Sequence, residues 1–234
     1  MPALDRSSSR HFAAPPLDGL RNSMWKRIFP KTTEEIMFKV TIPCSYYPII
    51  MILQEKLKAA ISIQNVKAFL WKGYSGLMDE FGPKIISILK SQGKRNMMER
   101  VSSKKVTFER LIFSEEYYIT DLDLWVLAKD AQIPLVLFSS TKLKQLSLTN
   151  DWILLGGNAN GNLYFIRTPA QIISDTPPEY HLISPSYPLS ELKEFREIME
   201  EAINESSKPD HSNQNIQTLE SYLRKTAFIL KKKV

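Results

Sequence analysis

A single cysteine, Cys44, among 234 residues rules out a disulfide within the chain. It fits a reducing, intracellular setting, cytoplasmic or nuclear, with a virion also admitted. Three scattered histidines, His11, His181 and His211, add too few ligands for a structural zinc site, so neither metal nor cofactor is expected. The longest apolar runs, such as Tyr46 to Leu53, fall far short of the roughly 20 residues that cross a bilayer as a helix, so no transmembrane segment is expected. Arg6 and Arg10 stand near the N-terminus without an apolar stretch beside them, so no secretory signal is expected.

What is present reads as an ordinary globular chain. Hydrophobic residues make up 43% and aromatics 10%, enough for one well-buried domain with appendages at this length. The net charge of +6 is unevenly placed. Between Lys84 and Arg110 eight basic residues meet only Glu99 and Glu109, a local excess of six. From Ser221 to Val234 there are five more bases and no acid. Lys94, Arg95, Arg100, Lys104, Lys105, Lys231, Lys232 and Lys233 therefore form candidate basic patches, able to meet a nucleic-acid backbone, anionic lipid or an acidic protein. The alternative is a solvated helix face and a soluble basic tail.

Local signals agree best between Tyr117 and Arg167. Thr120 has N-cap chemistry, and Asp121 and Asp123 fall in the first helical turn, where carboxylates meet the positive end of the helix dipole. Leu124, Trp125, Leu127, Ala128 and Ala131 give an apolar face at helical spacing. Leu135 to Phe138, after Pro134, is an unbroken apolar run that predicts a strand buried on both faces. Trp152 to Leu155 and Leu163 to Ile166 flank a glycine- and asparagine-rich stretch and predict a hairpin.

The spacing predicts a short strand over Phe38 to Ile42 and a helix over Ser45 to Ile63, with Pro48 in its first turn. A second helix is predicted over Val66 to Phe81, broken at Gly82-Pro83, and a third over Ile85 to Leu89. Tyr180 to Ile183, between proline-rich loops, predicts an edge strand. Ser190 to Ile203 predicts a capped amphipathic helix, and Ile216 to Lys233 a last one that is basic. The fold class expected is α+β with an α/β-like core, a small mixed sheet with a closing hairpin flanked by several helices. The divisions are 1–22 as a disordered arm, 36–204 as the α+β domain, 205–214 as a linker and 215–234 as the C-terminal basic amphipathic helix.

Cys44 is the one candidate strong nucleophile. It precedes an apolar helix, and a thiol at a helix N-terminus ionises more easily. Its base would be His181, since His11 and His211 fall in the arm and the linker. The bland alternatives are a small buried cysteine and a satisfied loop histidine. Asp121 and Asp123 fit capping better than a metal site. Gly156 to Gly161 lacks the Lys-Ser/Thr and helix of a phosphate cradle. Tyr117, Tyr118, Trp125 and Trp152 could stack on bases, yet at this spacing they read as core.

The order of these pieces resembles the ovarian-tumour (OTU) class of papain-like cysteine proteases, which remove ubiquitin. The pieces are a cysteine opening an apolar helix, then Thr-Asp-Leu-Asp-Leu-Trp-Val-Leu-Ala, then Ile-Pro-Leu-Val-Leu-Phe, then Leu-Tyr-Phe-Ile. The likeness spans roughly Lys39 to Arg167 and is one of layout. The Tyr-Tyr-Ile-Thr-Asp-Leu-Asp-Leu-Trp stretch also resembles proteins of large DNA viruses. The resemblance implies Cys44 as nucleophile and Tyr164 as the tyrosine of the closing His-Tyr pair. Ile42-Pro43 stand where that family has Gly-Asn, and Leu163 stands where its catalytic histidine belongs. The expectation is therefore a non-catalytic, degenerate OTU-like interaction module whose partner is a protein, with ubiquitin-like partners admitted. A cysteine isopeptidase using Cys44 with His181 is the first alternative. A basic nucleic-acid-binding or packaging protein is the second.

Overall fold

Five strands form one mixed sheet in the order β1-β5-β4-β2-β3, with β1 at Glu34–Met37, β2 at Leu135–Phe138, β3 at Trp152–Leu155, β4 at Tyr164–Arg167 and β5 at His181–Ser184. The computed structural model describes residues 29, 33–38, 42–138, 152–155, 162–168, 173–185, 192–193, 195–197, 200 and 219–224. Between β1 and β2 run a 3-10 turn, Ile42–Tyr46, and helices α1 (Tyr47–Leu57), α2 (Ile63–Ser91), α3 (Arg95–Ser102), α4 (Phe108–Phe113) and α5 (Asp121–Asp130). The α+β class and the mixed sheet match the expectation. The 1–22 arm, the 205–214 linker, His11, His211, Gly156 to Gly161 and Lys231 to Lys233 lie outside the described residues.

The predicted hairpin is not formed. β2 lies between its two strands, antiparallel to β3 and parallel to β4. All four residues of β2 are buried, as expected of a strand covered on both faces, and it hydrogen-bonds on both edges. Two corrections follow at the other end of the sheet. The first strand among the described residues is Glu34–Met37; of the strand expected over Phe38 to Ile42, Phe38 lies just past it, Ile42 opens the 3-10 turn, and residues 39–41 lie outside the described residues. The segment at His181 is not an edge strand but pairs antiparallel with β1 on one side and β4 on the other.

Strand alternation divides the sheet into two faces. Ile36, Leu182, Ile166, Leu135, Leu137, Ile153 and Leu155 join the helices in one apolar core. The registers put Glu35, His181, Ile183, Phe165, Arg167, Val136 and Phe138 on the other face. There Phe29 meets the rings of Phe165 and Phe138 at 5.0 and 6.2 Å.

The helical layer is organised by α2. The expected break at Gly82-Pro83 does not occur, and Pro83 sits inside a continuous helix. Val66, Leu70, Tyr74, Leu77, Phe81, Ile85 and Leu89 make one buried stripe across it. Pro83 and Asp79, whose carbonyl loses its helical donor, are both on the exposed side, where water can satisfy that carbonyl. α2 crosses α5 closely at Gly73, where an added Cβ would stand 2.5 Å from Val126 Cγ1. The first helix is shorter than expected, beginning at Tyr47 with Pro48 in its opening turn and ending on left-handed Lys58. Of the predicted Ser190 helix, the described residues 193, 195–197 and 200 are helical, with Phe195 buried. Of the last one, residues 219–224 are helical.

Candidate functional site

On the sheet face turned away from the helices, His181 lies in β5 directly across from Met37 of β1 and Arg167 of β4. Glu35, two residues before Met37, emerges on the same face and reaches both. Its Oε1 is 2.6 Å from His181 Nδ1 and its Oε2 is 3.5 Å from Arg167 Nη1. Glu179 Oε1 stands 3.1 Å from His181 Nε2. Only the imidazolium can donate from both nitrogens at once. Burial pushes the His181 pKa down, but hydrogen bonds and charge from Glu35 and Glu179 outweigh it and hold the pKa above the ordinary 6.5.

Cys44 is placed differently. It stands, half-buried, in the 3-10 turn that leads into α1, on the helical side of the sheet. Ser45 beside it donates to the Ile42 carbonyl at 3.0 Å and accepts from the Ile119 amide at 3.0 Å. Tyr46 donates to the Tyr117 carbonyl at 2.6 Å. The turn is thus pinned to the segment that enters α5. Both ring contacts of His181 go to carboxylates, and neither is to Cys44. Leu163, half-buried, immediately precedes β4 and so stands next to Tyr164, which donates to Glu55 Oε1 at 3.5 Å.

The helical core holds a second charged cluster that sequence reasoning missed. Thr120 opens α5, and Asp123, three residues on, accepts from the Thr120 amide at 2.7 Å and its hydroxyl at 2.9 Å. The capping role assigned to Asp123 is therefore present, and it is a small part of what this carboxylate does. Its Oδ1 also accepts from Tyr74 and Tyr117, each at 2.8 Å. Its Oδ2 accepts from the Lys94 ammonium, and both side chains of that ion pair are fully buried. Asp121 accepts from Tyr180 at 2.6 Å. Burial drives the Lys94 pKa down to about 8 against the opposing pull of Asp123. Burial and then the Asp123 charge raise Tyr46, Tyr74 and Tyr117 well above the ordinary phenol range. The Thr120-to-Asp123 spacing was visible in the sequence; nothing local marked Lys94 as its partner.

Lys94 is consequently not part of a basic surface, which corrects that assignment. Its ammonium is 3.7 Å from the centre of the Tyr117 ring and shut off from solvent. Arg95 and Arg100 are exposed but face Glu99 at 3.3 Å and Glu116 at 2.6 Å. Lys104 and Lys105 are exposed. Among the described residues no group of three or more His, Cys, Asp or Glu is arranged to hold a metal ion. No helix among them is long and apolar enough to cross a membrane. The chain matches no protein-family model, no curated protein and no solved structure.

Proposed function

We propose that the chain is a non-catalytic interaction module, a degenerate relative of the OTU-like α+β class that binds a protein partner. The observation that carries this reading is the setting of His181, clamped between Glu35 and Glu179 on the sheet face opposite the helices. A general base must offer a free nitrogen within hydrogen-bond reach of the thiol it activates. His181 would have to give up a charge-assisted bond to do so, and the two carboxylates that hold its nitrogens also hold its pKa above the ordinary value. Leu163, where the resemblance calls for a histidine, has no proton to move. The paired Arg95 and Arg100 and the buried Lys94 weigh against a nucleic-acid surface along α3.

A ubiquitin-propargylamide probe tests the reading. Incubated with the full chain and read by intact-mass spectrometry, it is expected to leave Cys44 unmodified. Stoichiometric addition at Cys44, lost in Cys44→Ala, would overturn it in favour of the isopeptidase.

A further inference from the structure

Four charged side chains meet on the sheet face turned away from the helices, and they balance in only one protonation state. Glu35 comes from β1, Arg167 from β4, His181 from β5 and Glu179 from the residues that lead into β5. With His181 protonated, two carboxylates face two cations and the cluster is neutral. Without that proton, one negative charge is left over. The His181 and Glu35 side chains are only 7% and 13% exposed, so little water is at hand to offset it. Met37, directly across from His181 in β1, is apolar, and the described charges of the 192–200 stretch, Lys193, Arg196, Glu197 and Glu200, are exposed. Among the described residues, the ionisable groups that bear on His181 are therefore Glu35, Glu179 and Arg167.

Glu35 is the member that ties strands together. Its Oε1 meets His181 Nδ1 at 2.6 Å and its Oε2 meets Arg167 Nη1 at 3.5 Å. A neutral imidazole keeps one N–H and turns a lone pair toward the other carboxylate. Glu179, at 28% exposure, has water beside it to turn to, whereas Glu35 is fixed to a strand. In either tautomer the positive charge that draws Glu35 to β5 is gone, and the longer contact with Arg167 remains. The strand that feels this loss is the least buried of the five. β1 ends the strand order, has no fully buried residue and pairs with β5 alone among the described strands. β2, β4 and β5 pair on both sides. Short, half-exposed edge segments open locally at a lower free energy than core strands.

We propose that this cluster is a proton-operated latch on the edge strand β1: protonated His181 holds β1 to β5 through Glu35, and loss of the proton loosens β1 while the inner strands stay paired. Glu35 and Glu179 outweigh burial and hold the His181 pKa above the ordinary 6.5. The latch is thus closed below that pH and loosens as pH rises through the folded value. It does not depend on whether Cys44 reacts, so it stands or falls apart from the interaction-module reading.

Amide hydrogen exchange read by mass spectrometry, corrected for intrinsic rates, follows the opening of β1 and of β2 in the full chain from about pH 5.5 to 8.5. The His181 Cε1 proton shift gives the titration of the imidazole in the same buffers. Opening of β1 is expected to rise about tenfold across that titration, the effect of one pKa unit of differential interaction, while β2 stays unchanged. His181→Gln is expected to abolish the dependence. Protection of β1 that is flat with pH in the wild type, or that moves in step with β2, overturns the proposal, as does the same pH dependence in His181→Gln. If His181→Gln does not fold, Glu35→Gln decides. Its imidazole still titrates beside Glu179, so a β1 whose opening no longer follows that titration supports the latch, and one that still follows it overturns the latch.

Discussion

Removing the charge from Lys94 gives the sharpest check on how this core is held. Lys94→Met keeps much of the side chain's length and fills the same volume, but leaves Asp123 with its two tyrosine hydroxyls, the Thr120 amide and the Thr120 hydroxyl and no cation. Breaking one side of a fully buried ion pair costs about 3–5 kcal/mol, a large share of the roughly 5–15 kcal/mol that holds a domain together. Asp123→Asn should cost a comparable amount for a different reason. The new amide group can face Tyr74 and Tyr117, whose hydroxyls can turn to accept, while the remaining oxygen still meets Thr120. Lys94 then keeps a neutral acceptor in place of its counter-ion. If the pair acts as a unit, the double variant Lys94→Met/Asp123→Asn is far less damaging than the two losses combined, with a coupling of about 2 kcal/mol or more. Urea unfolding of all four chains at pH 7, followed by far-UV circular dichroism, measures the cycle. Single losses below about 1 kcal/mol that simply add would refute the reasoning.

Two further outcomes follow from other close contacts. Gly73→Ala gains about 1 kcal/mol of helix propensity, but its Cβ would drive into Val126 Cγ1 at 2.5 Å, and a β-branched side chain in a helix has little rotamer freedom to yield. A net loss of about 1–3 kcal/mol is expected in urea midpoints, largely recovered by Val126→Ala, and a more stable Gly73→Ala chain would contradict this. His181 has a folded pKa raised above 6.5, so its contribution is fully present below that pH and is lost as pH rises through the folded pKa. Stability of the wild type relative to His181→Gln should therefore fall as pH rises above the ordinary histidine value of 6.5 in urea titrations, and parallel pH profiles would sink the assignment of an imidazolium between Glu35 and Glu179.

What could be read from the sequence was whatever a dozen neighbouring residues decide. Thr120 and Asp123 announced the start of α5, and the run Leu135 to Phe138 announced a strand with no polar face. Pro48 was rightly confined to a first turn. Most of the misses concern what an element meets beyond its own neighbours in sequence. Trp152 to Leu155 and Tyr164 to Arg167 have every local mark of a hairpin, yet β2, more than a dozen residues upstream, takes the place between them. Gly82-Pro83 carries a true helix-breaking signal, and the seven-membered stripe from Val66 to Leu89 outvotes it, since the lost hydrogen bond falls on the solvent side. Lys94 sat in a basic stretch and was counted with it. Its burial depends on a carboxylate 29 residues away, and sequence distance of that size leaves no trace in composition.

The two charged clusters act on different joints of the fold, and the one on the sheet explains why β5 pairs in a single register. β5 reads His-Leu-Ile-Ser, and its side chains alternate between faces. A slip of one residue against β1 and β4 would exchange those faces. His181 would then point toward Ile36 and Ile166 in the helical core, and Leu182 would meet Glu35 and Arg167. The imidazolium would lose Glu35 and be carried with Glu179 toward the apolar core, and Glu35 and Arg167 would be left against an apolar side chain. Burying an ionised group without its partner costs several kcal/mol, which a four-residue strand cannot recover from backbone hydrogen bonds that either register makes equally well. Apolar alternation alone would specify β5 weakly, because Leu182 and Ile183 are nearly interchangeable in size and both are buried. The ion cluster therefore fixes which face is which, while Asp123 and Lys94 lock α3 to the start of α5 on the far side of the sheet. Because β5 is the strand between β1 and β4, holding its register also holds Glu35 where it meets His181, so each member of the cluster maintains the geometry on which the others depend.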